Sequence, residues 1–184
     1  LPASAPGAIH ALSGYSGGGR ALIERWEDPR NELQGLPYEA PYALERVHKH
    51  IPEMHQYSGL DAPPQFVPAV GPFRCGMRVE VPLHASVLGG RSPRELWDAL
   101  AARYEGEPFV RVMPVGSTEP VDERSLDPLA CNDTNRMELH VCGNPAGHAL
   151  LVATLDNLGK GASGVAIQNM NLMLSLGETT GLAV

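Results

Sequence analysis

Two histidines separated by a single residue stand in the stretch VHKHIPEMHQ, and a carboxylate, Glu53, follows closely. Imidazole changes charge near neutral pH and a carboxylate can orient it, so His48 or His50 suits proton transfer or substrate binding. A zinc-dependent hydrolase using His48, His50 and His55 is the metal alternative, which the absence of HExxH and of a clear further ligand disfavours. Partly exposed polar residues at a strand end are the non-functional alternative.

The stretch GYSGGGR, residues 14–20, combines bare backbone with a positive charge. Glycines let backbone N–H groups converge on an anion, because no side chain blocks the approach. Ser13 and Ser16 add hydroxyl donors, and Arg20 adds a charge-assisted partner. The stretch is neither GxxxxGK[ST] nor GxGxxG. It therefore predicts either an anion-binding loop or a flexible surface turn.

A second small-residue loop, DNLGKGASG, carries Lys160 and leads into an apolar segment. The free N–H groups of a helix beginning there could hold a phosphate or a carboxamide. Gln168, Asn169 and Asn171 interrupt this apolar helix and cannot all be buried cheaply without partners. We expect them to face solvent or to bind a cofactor or another domain.

Periodicity and turn residues predict the elements that must position these groups. Strands are expected at 8–12, 77–83, 109–115, 136–142 and 148–157, an extended segment at 42–48, and helices at 20–26, 52–58, 92–104 and 165–176. The last of these has the pattern of a buried helix. The fold class is α+β, a mixed and largely antiparallel sheet with helices on one face.

Length, charge and cysteine content limit the classes of function that the chain can have. The 184 residues suit one domain, 1–184, and the net charge of −7 argues against nucleic acid as a partner. No apolar run reaches the roughly 20 residues of a membrane span, and the first residues do not read as a signal peptide. The three cysteines, Cys75, Cys131 and Cys142, have no CxxC spacing and no nucleophile context, which favours a reducing cytoplasm.

Four motifs together carry a family resemblance. They are SGYSGGGR, HKHIPEM, FVPAVGPFRCGMRVEVPL and LDNLGKGASGVAIQNMNLM, and in this order they resemble the shorter variety of the N-acetyl-gamma-glutamyl-phosphate reductases of arginine biosynthesis. The resemblance implies a cytoplasmic homodimer or homotetramer with a Rossmann domain that binds NADP(H). It also implies a second domain, here residues 1–184, that binds substrate and makes the subunit contacts. This domain is expected to resemble the corresponding domains of aspartate-semialdehyde and glyceraldehyde-phosphate dehydrogenases.

The resemblance also implies residue roles. One histidine of the HKH motif takes the thiol proton of a cysteine nucleophile and later protonates an oxygen, and His48 and His50 both remain candidates. The other histidine contacts the substrate, together with Glu53. Substrate-binding groups are Glu53, Ser13, Ser16 and Arg20, and cofactor-binding groups are Gly14, Gly17, Gly161 and Asn169. The nucleophile belongs to a PGCY-like motif that this chain lacks, as it lacks the Rossmann domain. We therefore expect a fragment without reductase activity of its own, whose helix at 161–176 packs toward the Rossmann domain.

Overall fold

The computed structural model describes residues 1–45, 47–114 and 126–184. Its centre is a seven-stranded sheet with the strand order β2-β3-β1-β4-β7-β6-β5. The strands are β1 (Ala8–Gly14), β2 (Ala40–Pro41), β3 (Gln65–Gly71), β4 (Met77–Leu83), β5 (Val110–Val112), β6 (Met137–Gly143) and β7 (Ala149–Leu155). The predicted strand 109–115 is thus shorter than expected, and its last residue lies outside the described residues.

Most neighbouring strands in this sheet run antiparallel. Only β1 with β3 and β5 with β6 are parallel, whereas β1–β4, β2–β3, β4–β7 and β6–β7 are antiparallel. The hairpin predicted from the alternation in 136–157 is the β6–β7 pair, in which Val141 pairs with Leu151. The mixed, largely antiparallel sheet of an α+β fold is therefore confirmed.

Four α-helices accompany the sheet in the described part of the chain: α1 (Gly19–Glu27), α2 (Ile51–Ser58), α3 (Pro93–Arg103) and α4 (Gly164–Met173). The prediction for α3 is confirmed in detail. Ser92 caps the helix by accepting the backbone N–H of Glu95, and the Glu95 side chain accepts the backbone N–H of Ser92 in return. No helix of these residues is long and apolar enough to cross a membrane.

Apolar residues of the sheet pack against α3 and the turn before it. Leu83, Leu88 and Ala149 are buried together, and Leu96 of α3 packs against them. This contact explains the period of two along β4, because one of its faces turns toward the helix. Phe109, just before β5, is also almost fully buried.

The region around β3 shows one strand that the sequence rules did not assign and one expectation that was wrong. Residues 65–71 form a strand although Pro68 lies in its middle, where a proline removes a ladder donor. The cost is small here because the neighbour on one side, β2, contributes only two residues. The extended segment expected at 42–48 contains no strand in its described residues. The turn that follows, closed by the Ile51 N–H on the His48 carbonyl, places the two histidine rings 5.1 Å apart.

The C-terminal helix also departs from the buried helix that its composition predicted. A π-helical turn, Gly159–Ser163, precedes α4, and the helix ends at Met173 rather than at 176. Its polar residue Asn171 is 2% exposed, whereas Met173 is 84% exposed. We define the α4 apolar surface by its exposed side chains, Met170, Leu172, Met173, Leu174 and Leu176. These hydrophobic side chains thus have no cover among the residues that the structure describes.

Candidate functional site

Three of the sequence motifs meet at one edge of the sheet. Because β1 and β3 are parallel, their carboxyl ends lie side by side, with Gly14 paired to Gly71. Met77, the first residue of β4, pairs with Ser13 on one side and with Leu155, the last residue of β7, on the other. The glycine stretch, the loop 72–76 and the loop after β7 therefore begin at the same edge.

Asn157 joins these loops through its buried side-chain amide. Its Oδ1 accepts the backbone N–H of Gly76 at 2.8 Å, and its Nδ2 donates to the Ser16 hydroxyl at 3.0 Å. The Ser16 Oγ is also 3.7 Å from the Cys75 Sγ. We call these four residues the Asn157 cluster. Ser16 and Asn157 are both buried. The cluster therefore links residues that are distant in the chain and has a structural role.

Gly14 is required by the close approach of another backbone segment. A Cβ on Gly14 would lie 2.4 Å from the Arg74 carbonyl oxygen and 2.8 Å from the Cys75 nitrogen. The Gly14 N–H donates to the Gly76 carbonyl at 2.8 Å in the same crossing. This glycine therefore has a packing role, which the anion-loop interpretation of the stretch did not foresee.

The side chains of the glycine stretch differ in their freedom to meet a ligand. Arg20 is almost fully exposed and pairs with Glu24 one turn along α1, at 2.6 Å. Ser13 donates its hydroxyl to the Gly14 carbonyl at 3.1 Å. Gly17 is exposed, and the space beside it is bounded by the Ser13 hydroxyl. Arg20 can leave Glu24 for a ligand at little cost, because an exposed pair of this kind is weak.

Aromatic packing fixes the other side of this edge. Tyr15 stacks on Trp26 of α1, with ring centroids 5.4 Å apart and an interplanar angle of 6°. The Tyr15 hydroxyl donates to the Glu27 carboxylate at 3.3 Å. Burial, with the Glu27 charge second, raises the pKa of Tyr15 above its usual value. The phenol therefore stays protonated and holds the start of α1 against the strand end.

The histidine motif forms a second cluster. His50 Nδ1 lies 2.8 Å from a Glu53 carboxylate oxygen, on the first turn of α2. A carboxylate only accepts, so Nδ1 carries the hydrogen and the neutral ring has its lone pair on Nε2. His50 and Glu53 are both exposed. In its neutral form this exposed imidazole is oriented by Glu53 through Nδ1, which leaves Nε2 as the acceptor nitrogen.

His48 has different surroundings. It lies edge-on to the buried Phe66 ring, with centroids 5.0 Å apart, and its Nε2 is 3.3 Å from the Tyr42 hydroxyl oxygen. Its Nδ1 accepts the backbone N–H of His50 at 3.3 Å. Burial, and then the charges of His50 and Lys49, lower the pKa of His48 below its usual value. We call Tyr42, His48, His50 and Glu53 the histidine cluster.

The two clusters lie at different places along β3. The His48 ring contacts Phe66, near the start of the strand, whereas Gly71 at its end borders the glycine stretch. Five strand residues span about 17 Å. A ligand that reaches both clusters must therefore extend along this strand.

The residues after β7 form a polar network around Lys160. The Lys160 ammonium donates to Gln168 Oε1 at 2.6 Å and lies 5.5 Å from the centre of the Phe109 ring. Burial lowers the pKa of Lys160, and nearby carboxylates oppose this effect. Gln168 is thus occupied internally, whereas Gly161 and Asn169 are exposed. Of the polar residues in QNMN, only Asn169 stays available to a ligand.

Sequence reasoning missed two of the residues that organise these clusters. Asn157 stands inside a motif quoted for its glycines and lysine, and its position directly after a strand was the available signal. Tyr42 carried no signal, because its contact with His48 depends on an irregular turn. The described residues contain no group of three or more His, Cys, Asp or Glu side chains placed to hold a metal ion. The zinc alternative has no geometric support there.

Comparison with known proteins gives the family. Residues 2–157 match the model of the semialdehyde dehydrogenase dimerisation domain. The chain is 47% identical over 188 residues to N-acetyl-gamma-glutamyl-phosphate reductase 2 of Nostoc sp., covering 99% of this chain and 58% of the relative. The Pseudomonas putida protein of the same name is 46% identical over 176 residues, covering 95% and 55%. The chain thus spans little more than half the length of the curated relatives it matches.

Solved structures support the same fold. Aspartate semialdehyde dehydrogenase II from Vibrio cholerae matches with a TM-score of 0.60 at 16% identity, covering 91% of this chain and 55% of that one. A probable aspartate-semialdehyde dehydrogenase from Pseudomonas aeruginosa matches with a TM-score of 0.59 at 12% identity, with the same coverage. Such low identities speak for the fold alone. The chain belongs to the semialdehyde dehydrogenase dimerisation-domain family.

Proposed function

We propose that this chain is the substrate-binding and dimerisation part of an NADPH-dependent acyl-phosphate reductase. The reaction is reduction of N-acetyl-glutamyl 5-phosphate to N-acetyl-glutamate 5-semialdehyde with release of phosphate, in the cytoplasm. The curated relatives carry the name of this activity. The observation that carries the proposal is the His50–Glu53 pair, whose geometry suits a general base.

The pair favours His50 over His48 as the proton carrier. Glu53 holds the His50 Nδ1–H, so the ring cannot rotate without losing a charge-assisted hydrogen bond. The Nε2 lone pair then points away from the carboxylate. In contrast, both ring nitrogens of His48 have partners within the chain. An imidazole that must take and return a proton needs one nitrogen free. Of these two rings, His50 has a nitrogen without a partner among the residues that the structure describes.

His50 has two tasks in the proposed reaction. Its Nε2 takes the proton of a cysteine thiol supplied by the part of the enzyme outside this chain. The thiolate attacks the acyl carbon, the carbon–oxygen bond to phosphate breaks, and the proton can return to the departing phosphate. NADPH, which Gly161 and Asn169 would contact, would supply the hydride that converts the thioester to the aldehyde and frees the thiolate. Glu53 stabilises the imidazolium that exists between the two proton transfers.

Substrate and cofactor binding follow from the charges and exposure at the two clusters. Arg20 suits an anionic group, since its exposed partner Glu24 releases it at little cost. Ser13 offers a hydroxyl beside the exposed Gly17. Ser16 acts through the Asn157 cluster, because its hydroxyl is buried. Glu53 acts on the substrate through His50.

The proposed NADP contacts are Gly14, Gly17, Gly161 and Asn169. Gly161 and Asn169 fit, because both are exposed beside the π-helical turn and α4, and Asn169 has the amide that a carboxamide pairs with. Gly17 is exposed too. Gly14 is buried under Arg74, so it shapes the loop rather than touching the cofactor.

The α4 apolar surface supports a contact with the rest of the enzyme. This surface lies within the segment 161–176, which we propose to pack on the Rossmann domain. The relatives are long enough to contain that domain. The name of the family model supports homodimer or homotetramer formation. The isolated chain has no cysteine with nucleophile context, so we propose that it does not turn over substrate alone.

The test uses the full-length reductase that contains this chain. NADPH consumption is followed with the acyl phosphate for the unmodified enzyme and for His50→Gln, with His55→Gln, on the helix that begins directly after His50, as the matched control. We expect His50→Gln to lower kcat by about 10²–10⁴-fold, the usual contribution of general acid–base catalysis. Unchanged kcat in His50→Gln, or no acyl-phosphate-dependent consumption in the unmodified enzyme, would refute the proposal.

A further inference from the structure

His48 lies beside the proposed base yet is built differently from it. Its ring fits between Phe66, which is 6% exposed, and the Tyr42 hydroxyl, and its centroid is 5.1 Å from that of His50. A side chain in a packed setting with a partner on each nitrogen has one orientation. The question is what that fixed orientation does for the reaction.

The hydrogen bonds assign the tautomer of His48. Nδ1 accepts the backbone N–H of His50 at 3.3 Å, so it carries no hydrogen. In the neutral ring the hydrogen is then on Nε2, which faces the Tyr42 oxygen at 3.3 Å. Tyr42 accepts this hydrogen and keeps its own hydroxyl hydrogen for another acceptor. Protonating His48 on Nδ1 would remove the acceptor that the described residues give the His50 N–H.

The charges around His48 oppose its protonation. Lys49 follows it directly, and His50 gains a positive charge whenever it holds the substrate proton. The carboxylate of the cluster, Glu53, is bonded to His50 rather than to His48. The same burial and charges lower the pKa of His48. An imidazole that remains neutral while its neighbour carries the substrate proton can hold the neighbour's backbone through the whole cycle.

We propose that His48 is a positioning residue, which stays neutral and fixes the His50 backbone and the Tyr42 hydroxyl in place for the reaction. The inference rests on the proposed function, with His50 as the proton carrier. His48 aims the His50 ring at the reacting thiol by tying the turn before α2 to the packed end of β3. It also presents the Tyr42 O–H as a donor toward an anionic group of the substrate.

Conservative variants of the full-length reductase separate positioning from proton transfer. Asparagine places an amide oxygen near the position of the histidine Nδ1, so His48→Asn can still accept the His50 N–H but cannot titrate. His48→Ala removes that acceptor. His50→Gln removes the proposed base, and His55→Gln is the control. The readouts are kcat, KM and the pH dependence of kcat/KM.

We expect His48→Asn to keep kcat within about tenfold of the unmodified enzyme, the size of one neutral hydrogen bond. It should lose less than His48→Ala and keep the acidic limb of the pH profile. His50→Gln should lose that limb. Nitrogen NMR of the unmodified protein with labelled histidine should find the His48 Nδ1 without hydrogen at neutral pH. This measurement needs no variant, so it does not depend on whether a variant folds.

Three outcomes would overturn the inference: a loss in His48→Asn as deep as in His50→Gln, loss of the acidic limb in His48→Asn, or a hydrogen on the His48 Nδ1. Failure of the proposed function looks different. In that case the unmodified enzyme does not consume NADPH with the acyl phosphate, or His50→Gln behaves like the control. The NMR measurement on the unmodified protein still decides the state of His48.

Discussion

Replacing Asn157 with alanine tests whether the Asn157 cluster holds the strand-end loops together. The change removes the acceptor of the buried Gly76 N–H and the donor to the buried Ser16 hydroxyl. One unpaired buried N–H and one lost neutral hydrogen bond together cost about 2–4 kcal/mol. With a urea m-value of about 2 kcal/mol/M, the unfolding midpoint should fall by about 1–2 M.

The assay is equilibrium urea unfolding of the purified chain, with Asn169→Ala as the matched control. Asn169 is exposed on α4, so the same substitution there should change the free energy of unfolding by less than about 0.5 kcal/mol. Equal midpoints for the two variants would refute the reasoning. The hydrogen bonds of the Asn157 amide would then contribute nothing measurable to the free energy of unfolding.

Three further predictions concern other parts of the account. Gly14→Ala should lower the free energy of unfolding by about 1–3 kcal/mol, because its Cβ would meet the Arg74 backbone. Gly35→Ala, with open space around it, should change the urea midpoint little. Equal effects of the two substitutions would contradict the close approach of the Arg74 backbone to Gly14. Leu172→Glu should leave the Tm of the isolated chain unchanged and lower that of the full-length enzyme, and an equal Tm in both contexts would argue against a covered α4 surface. The folded-state pKa of His48 is lowered. Its contribution to stability should therefore be complete above the ordinary histidine pKa of about 6.5 and be lost as pH falls through the folded-state pKa. Parallel curves of unfolding free energy against pH for His48→Asn and the unmodified chain would contradict this.

Local sequence rules predicted the elements whose signals are local. The α3 helix begins where Ser92, a proline and Glu95 form a capping box, and these residues need no distant partner. The β6–β7 hairpin follows from alternation on both sides of a turn. The type and approximate bounds of such elements are set within a dozen residues of chain.

Long-range pairing explains what local rules could not predict. The strand β3 contains Pro68, and its pairing with β1 and β2 makes this segment a strand. The place of the His48 ring depends on its contact with Phe66, which lies in that strand, and on the Tyr42 hydroxyl across an irregular turn. Propensity rules contain no term for such contacts.

Part of the candidate site was nonetheless predictable. The HKH motif with Glu53 indicated an oriented imidazole, and the structure adds which of the two rings the carboxylate contacts. The glycine stretch indicated close backbone approach, although at Gly14 the approaching group is the Arg74 backbone. The apolar pattern of α4 predicted burial, and its exposed Met173 shows that no surface within the described residues supplies the cover.

The most direct test of the central claim is the rate of NADPH consumption by the full-length reductase with N-acetyl-glutamyl 5-phosphate, compared between His50→Gln and His55→Gln. The account predicts acyl-phosphate-dependent consumption by the unmodified enzyme and by His55→Gln, and a loss of about 10²–10⁴-fold in His50→Gln. Equal rates in the two variants would contradict the assignment of His50 as the proton carrier. No consumption by the unmodified enzyme would contradict the reductase itself.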